Sequence, residues 1–112
     1  MESSILNTIK KMLNIDSECT DFDVDMVINI NSVLSILAQM GVGPQNGFII
    51  SGPDETWGQF LNGDANLEMV KSYIYLKVKL IFDPPQSSAV IDSSERLITE
   101  LEYRIAHPLV SS

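Results

Sequence analysis

The sequence predicts an all-α fold, a small bundle of about four to five helices, and three observations carry that prediction. Apolar residues between Glu68 and Pro85 recur at helical spacing. Those between Phe22 and Met40 alternate at intervals of four and three. Helix-breaking glycines and prolines cluster in one stretch, Gly41 to Glu55. That stretch is where an extended Gly/Pro-bracketed loop or a short strand is expected.

A first short helix starts at Ser3 or Ser4, either of which can cap it, and runs to about Leu13. Ile5, Leu6, Ile9, Met12 and Leu13 form its apolar face, and Lys10 and Lys11 lie off it. Two lysines give little attraction to a lipid surface, so docking on the parent core is the expectation. Asn14 to Asp25 reads as an acidic linker, where Thr20 and Asp23 have the spacing of a capping box with Asp in place of Glu. Asp16, Asp21, Asp23 and Asp25 invite a calcium reading. The run lacks the glycine at the sixth position and the glutamate at the twelfth that a calcium loop needs, so helix-start electrostatics account for them better.

The second helix, about Phe22 to Met40, carries the seam Met26, Ile30, Val33, Leu37 and Met40. Its polar side is Asn29, Asn31, Ser32, Ser35 and Gln39, with no charge after Asp25. A helix face of small amides and hydroxyls is usually enclosed by other protein, from the same fold or a neighbouring copy. Gly41 supplies the left-handed position after the helix. The glycines that follow do not make a phosphate loop, since no strand precedes them and no Lys-Ser or Lys-Thr pair follows. Phe48, Ile49 and Ile50 form an apolar segment that is costly to expose. Asp54 is read as the cap of a short helix with Trp57, Phe60 and Leu61, Trp57 being a core or interface anchor, and Asp64 as the next cap.

The chain is organised around the helix that follows. At 100° per residue Met69, Val70, Tyr73, Ile74, Leu80 and Ile81 fall on one broad arc. Glu68, Ser72 and Lys79, with Lys71 at the edge, make a polar stripe expected to face solvent, and Glu68 and Lys71 have pairing distance. Lys77 sits in the middle of the apolar arc, so its charge must snorkel, pair, or face something beyond the monomer. Asp83, Pro84 and Pro85 stop the helix sharply. A last helix runs from Ser87 or Ser88 to about Ala106, with Val90, Leu97, Ile98, Leu101 and Ile105 as its buried stripe. Asp92 with Arg96 and Glu100 with Arg104 are expected as ion pairs on its outer face. Pro108 closes it.

A chain of 112 residues reads as one domain, residues 1–112. A net charge of −8 with seven basic residues argues against wrapping nucleic acid, and no sequence-specific nucleic-acid binding is expected. Cys19 alone cannot form an internal disulfide. The start has no basic segment leading into a long apolar run, and no stretch has the length of a membrane span, so a soluble cytosolic product without membrane attachment is expected. His107 has no nucleophile beside it in sequence. There is no HExxH, no paired cysteine and no phosphate cradle, which leaves no catalytic, cofactor-binding or metal-binding residue to nominate. The expectation is a structural or interaction protein and not an enzyme.

Five segments, in order and spanning nearly the whole chain, resemble the small head-tail connector proteins (head-completion or adaptor proteins) of long-tailed phages and prophages of Gram-positive bacteria. They are Asp25 to Asn31 (DMVININ), Met40 to Pro44 (MGVGP), Thr56 to Leu61 (TWGQFL), Met69 to Pro85 (MVKSYIYLKVKLIFDPP) and Leu101 to Arg104 (LEYR). YIYLKVKLIFDPP is the most specific. Tyr103 departs from the family's ELEWR ending, which has tryptophan there. The resemblance implies a mostly helical subunit that forms a homo-oligomeric ring in the virion neck, commonly twelvefold. The ring sits beneath the portal protein, receives tail-side connector or stopper proteins and surrounds the passing DNA, and its subunits occupy the host cytoplasm during assembly. The residues expected at subunit interfaces are Lys77, Trp57, Phe48, Ile49, Ile50, Asn29, Asn31 and Tyr103. A competing reading is a small phage-encoded regulator or inhibitor that binds one host protein.

Overall fold

The computed structural model describes residues 4–44, 46–61 and 67–106. They contain five helices: α1 (Ile5–Met12), α2 (Asp23–Gln39), α3 (Trp57–Leu61), α4 (Leu67–Phe82) and α5 (Ser88–Ala106). No strand occurs among the described residues. An isolated bridge pairs Ser4 with Thr56, so the all-α expectation holds and the Phe48–Ile50 segment is a loop. Asp64, expected as a cap, and His107 and Pro108 lie outside the described residues.

α4 is the hub. It packs along α2 on one side and α5 on the other, and α1 lies across α2 and α4. Val70, Tyr73, Ile74 and Val78 are its buried residues, spaced at three and four, and they meet Met26, Ile30, Val33, Leu34 and Leu37 of α2 in one core. Phe22 and Phe82 close the far end edge to face, with ring centroids 5.3 Å apart. The breadth of the α4 arc is overstated by the periodicity: Met69 and Leu80 are half-buried and Ile81 is exposed. The stripe opposite is not open solvent either, since Ser72, Lys79 and Lys71 are half-buried and the Lys71 ammonium lies 5.6 Å from the Trp57 ring centre. Glu68 and Lys71 do pair, at 3.6 Å.

Three helix ends are closed by the residues expected there. Ser4 caps α1 by accepting from the Asn7 amide at 3.2 Å. α2 ends in a Schellman turn: Gly41, at φ +87°, donates to Ala38, and Val42 donates to Leu37 at 2.9 Å and tucks its side chain into the core. Ser87 accepts from Val90 at the start of α5.

Two caps differ from expectation. Thr20 makes no side-chain cap for α2, because Asp23 is the first helical residue and its carboxylate is turned to Lys10. α3 is capped by Thr56, not Asp54. Thr56 Oγ1 accepts from the Gln59 amide at 3.2 Å while the Gln59 side chain accepts from the Thr56 amide at 3.0 Å, a reciprocal capping box.

α5 buries only Ile98, Leu101 and Ile105. Val90 and Leu97, expected in the stripe, are 48% and 44% exposed. Glu100 and Arg104 pair at 3.5 Å, whereas Asp92 and Arg96 form no ion pair among the described residues.

Lys10 is the largest departure. It lies four residues after Leu6, on the buried face of α1, and is fully buried instead of off the apolar face. The acidic linker folds over it. Its ammonium donates to the Ser17 carbonyl at 3.2 Å, the Cys19 carbonyl at 2.6 Å and Asp23 Oδ1 at 2.7 Å, using all three of its donors. The aspartate read as helix-start electrostatics is therefore also the counter-ion of a buried lysine.

Candidate interaction surface

The loop between α2 and α3 is held by side chains in place of a ladder. Asn31, on α2, bonds both backbone groups of Ile50: its Oδ1 accepts from the Ile50 amide at 2.8 Å and its Nδ2 donates to the Ile50 carbonyl at 2.9 Å. One amide group thus supplies the pairing that a neighbouring strand would have given. The pinned segment alternates. Phe48 is half-buried and its ring centre is 5.3 Å from that of Phe60, Ile49 is 72% exposed, and Ile50 is buried.

Gly43 completes the seat. At φ +87° it occupies backbone space that side-chain-bearing residues rarely adopt, and a Cβ there would run into the Phe60 ring. At the other end of the loop Glu55 accepts from Ser51 Oγ at 2.9 Å and from the Gly52 amide at 3.4 Å. Desolvation would raise its carboxyl, but these bonds outweigh it and hold the group below its ordinary range. The Glu55 carbonyl accepts from the Ile5 amide at 3.0 Å, tying the loop to the start of α1.

Trp57 is buried, and its Nε1 donates to Thr8 Oγ1 on α1 at 2.9 Å. It is a core anchor.

A recess lies between α4 and α5, lined by Lys77, Leu80, Ile81, Glu95, Ile98 and Glu102, among others. Lys77 is half-buried, with its ammonium 5.9 Å from the Tyr73 ring centre, so its charge lies over an aromatic face at the edge of the core. Beneath it, the fully buried Tyr73 donates its hydroxyl to Glu102 Oε2 at 2.8 Å and joins the two helices. Burial, then the hydrogen bond and charge of Glu102, hold this phenol protonated far above the ordinary tyrosine range.

A raised folded-state pKa contributes stability that is complete below the unfolded value near 10 and is lost as pH climbs above it, at up to about 1.4 kcal/mol per pH unit. Tyr73→Phe is therefore expected to cost about 1 kcal/mol at neutral pH and to unfold with a flatter pH dependence than wild type between pH 10 and 11.5. Urea midpoints measured across that range check both effects; parallel curves would remove the coupling.

Of the eight residues expected at interfaces, the fold brings Asn31, Phe48, Ile49 and Ile50 together. Trp57 stands in the core against α1. Lys77 lies in the α4–α5 recess. Asn29 is half-buried on α2, and Tyr103 is 66% exposed on α5. Sequence reasoning missed Lys10, Tyr73 and Glu102 as polar anchors. Lys10 had a usable signal, its four-residue spacing from Leu6 beside an acid-rich linker.

Among the described residues no three His, Cys, Asp or Glu side chains gather as a metal site would require, and no helix is long and apolar enough to cross a membrane. Buried polar groups here fasten loops and helices to one another. The class is a small all-α domain with side-chain-pinned loops. The chain belongs to the phage connector protein family, whose model matches residues 5–108. The role this membership gives is that of a phage structural connector. No curated protein and no solved structure matches the chain.

Proposed function

We propose that this connector subunit, as a single domain, assembles with copies of itself into a ring in the neck of the virion, between the portal and the tail-side connector or stopper proteins. The ring completes the head and leaves a passage for DNA. Family membership across residues 5–108 is the observation that carries this reading. Two physical features support it. Exposed apolar residues on several elements, Ile28, Ile49, Ile81, Leu97 and Tyr103, give a small subunit surface to bury against neighbours. The net charge of −8 suits a conduit through which a polyanion slides without adhering.

Of the interface residues, Ile49 and Tyr103 are open to a neighbour, and Phe48, Asn29 and Lys77 are partly so. Ile50, Asn31 and Trp57 act from beneath by fixing the surface. Imaging particles made without this gene tests the role. Filled heads are expected to lose their genome or to lack tails, with the density below the portal missing. Particles that keep their DNA and carry normal tails would overturn it.

A further inference from the structure

Charge is distributed unevenly along this chain. All fifteen acidic and seven basic residues lie outside Met26–Pro53, where several would fall at the chain's 20% charged fraction. This uncharged sector is not simply core. Ile28, Ser32, Ser35 and Gln39, spaced at four, three and four along α2, are all exposed on one helix face. Ser35 and Gln39 continue into a groove shared with Asn46 and Ile49. The face thus runs from one isoleucine, 58% exposed, to another, 72% exposed. Between them Ser32 turns its hydroxyl back onto the Ile28 carbonyl at 3.2 Å, which lessens the polarity it offers outward.

The charge pattern discriminates between occupants. A basic partner protein would gain no attraction at an uncharged face and would be drawn to the acidic remainder. A second copy of this chain faces the reverse problem. Each copy carries −8, so charged faces repel, and the uncharged side is the approach that brings no like charges together. We propose, resting on the ring reading above, that the Ile28–Gln39 stripe with Asn46 and Ile49 is the side on which each subunit receives the next copy. Ring closure uses heterologous contacts, so one uncharged side per subunit removes like-charge pairs from every seam.

Photoreactive benzoylphenylalanine placed at position 28 or 49, with position 96 on the charged face of α5 as the control, tests this in assembled particles. Irradiation is expected to give covalent dimers of this chain from positions 28 and 49 and not from 96. Adducts from 28 and 49 to a different protein, or dimers from 96 alone, or no adducts from 28 and 49, would each overturn the assignment.

A second measurement addresses charge directly. Ile28→Glu/Ile49→Glu is expected to lower the copies per particle by about tenfold or more, since like charges forced together cost more than one factor of ten. Ile28→Gln/Ile49→Gln is expected to stay within a few-fold of wild type. Equal incorporation of both pairs, with unchanged circular dichroism, counts against the proposal. Imaging of wild-type necks separates the two readings: a visible ring with failed cross-links overturns this face alone, and the absence of a ring overturns the ring itself.

Discussion

Replacing Lys10 with methionine is expected to lower stability by about 3 kcal/mol, because removing one partner of a buried pair leaves the other charge uncompensated. The side chain is 1% exposed, so water cannot take over its role; Asp23, at 25%, is partly hydrated, which keeps the figure at the low end of the range for buried pairs. The Ser17 and Cys19 carbonyls lose their partner in the same step.

Asp23→Asn is expected to cost less, about 1 to 2 kcal/mol, since the amide oxygen still accepts from the ammonium while the charge is lost. Replacing both, Lys10→Met with Asp23→Leu, is expected to recover part of the loss, as removal of a whole buried pair often does. Urea unfolding checks the series. With m of about 1–3 kcal/mol/M for a small protein, Lys10→Met shifts the midpoint by about 1 M or more. A shift below a quarter of that would mean the linker and the ammonium contribute little to holding the fold.

Asn31→Ala is expected to open the α2–α3 loop. Two hydrogen bonds to one residue disappear, and Ile50, 1% exposed, has no water to replace them, which places the local cost at about 2–3 kcal/mol. The effect is confined to the loop, so it is read most directly as amide exchange at Ile50. Protection there is expected to fall by about thirtyfold or more, a factor of ten for each 1.4 kcal/mol, with α4 amides little changed. Asn31→Asp separates the two bonds. Its carboxylate still accepts from the Ile50 amide but turns a like dipole toward the Ile50 carbonyl, so its exchange rate should fall between wild type and Asn31→Ala. Unchanged protection in Asn31→Ala would show that Phe48 and Phe60 suffice to seat the segment.

Helix positions were legible in the sequence because a 3.6-residue period leaves its mark on every turn, and α2, α4 and α5 lie within a residue or two of where that period places them. What the period cannot report is which apolar residues find a partner. Val90, Leu97 and Ile81 satisfy the spacing yet stay exposed, because no described element covers them.

Caps were less legible where a side chain had a stronger claim elsewhere. Asp23 has the right spacing from Thr20, but an ammonium thirteen residues upstream takes its carboxylate. The box that does form joins Thr56 and Gln59, which have the same three-residue spacing as Thr20 and Asp23. Asn31 stood out only as part of an uncharged polar face, with no sign of which group it would bind. An asparagine inside a helix looks the same whether it faces water or grips a backbone nineteen residues away, and only the fold distinguishes them.

Phe60 fills the volume that a side chain at Gly43 would need, and its ring also packs against Phe48, with centroids 5.3 Å apart. The three positions are therefore mechanically interlocked, and drift at one constrains the others. A larger residue at 43 demands a smaller ring at 60, which in turn unseats the aromatic at 48. Among relatives that keep this loop, substitutions at these sites should arrive as a set, so the pattern of joint change would trace the loop's shape through lineages whose overall similarity has faded.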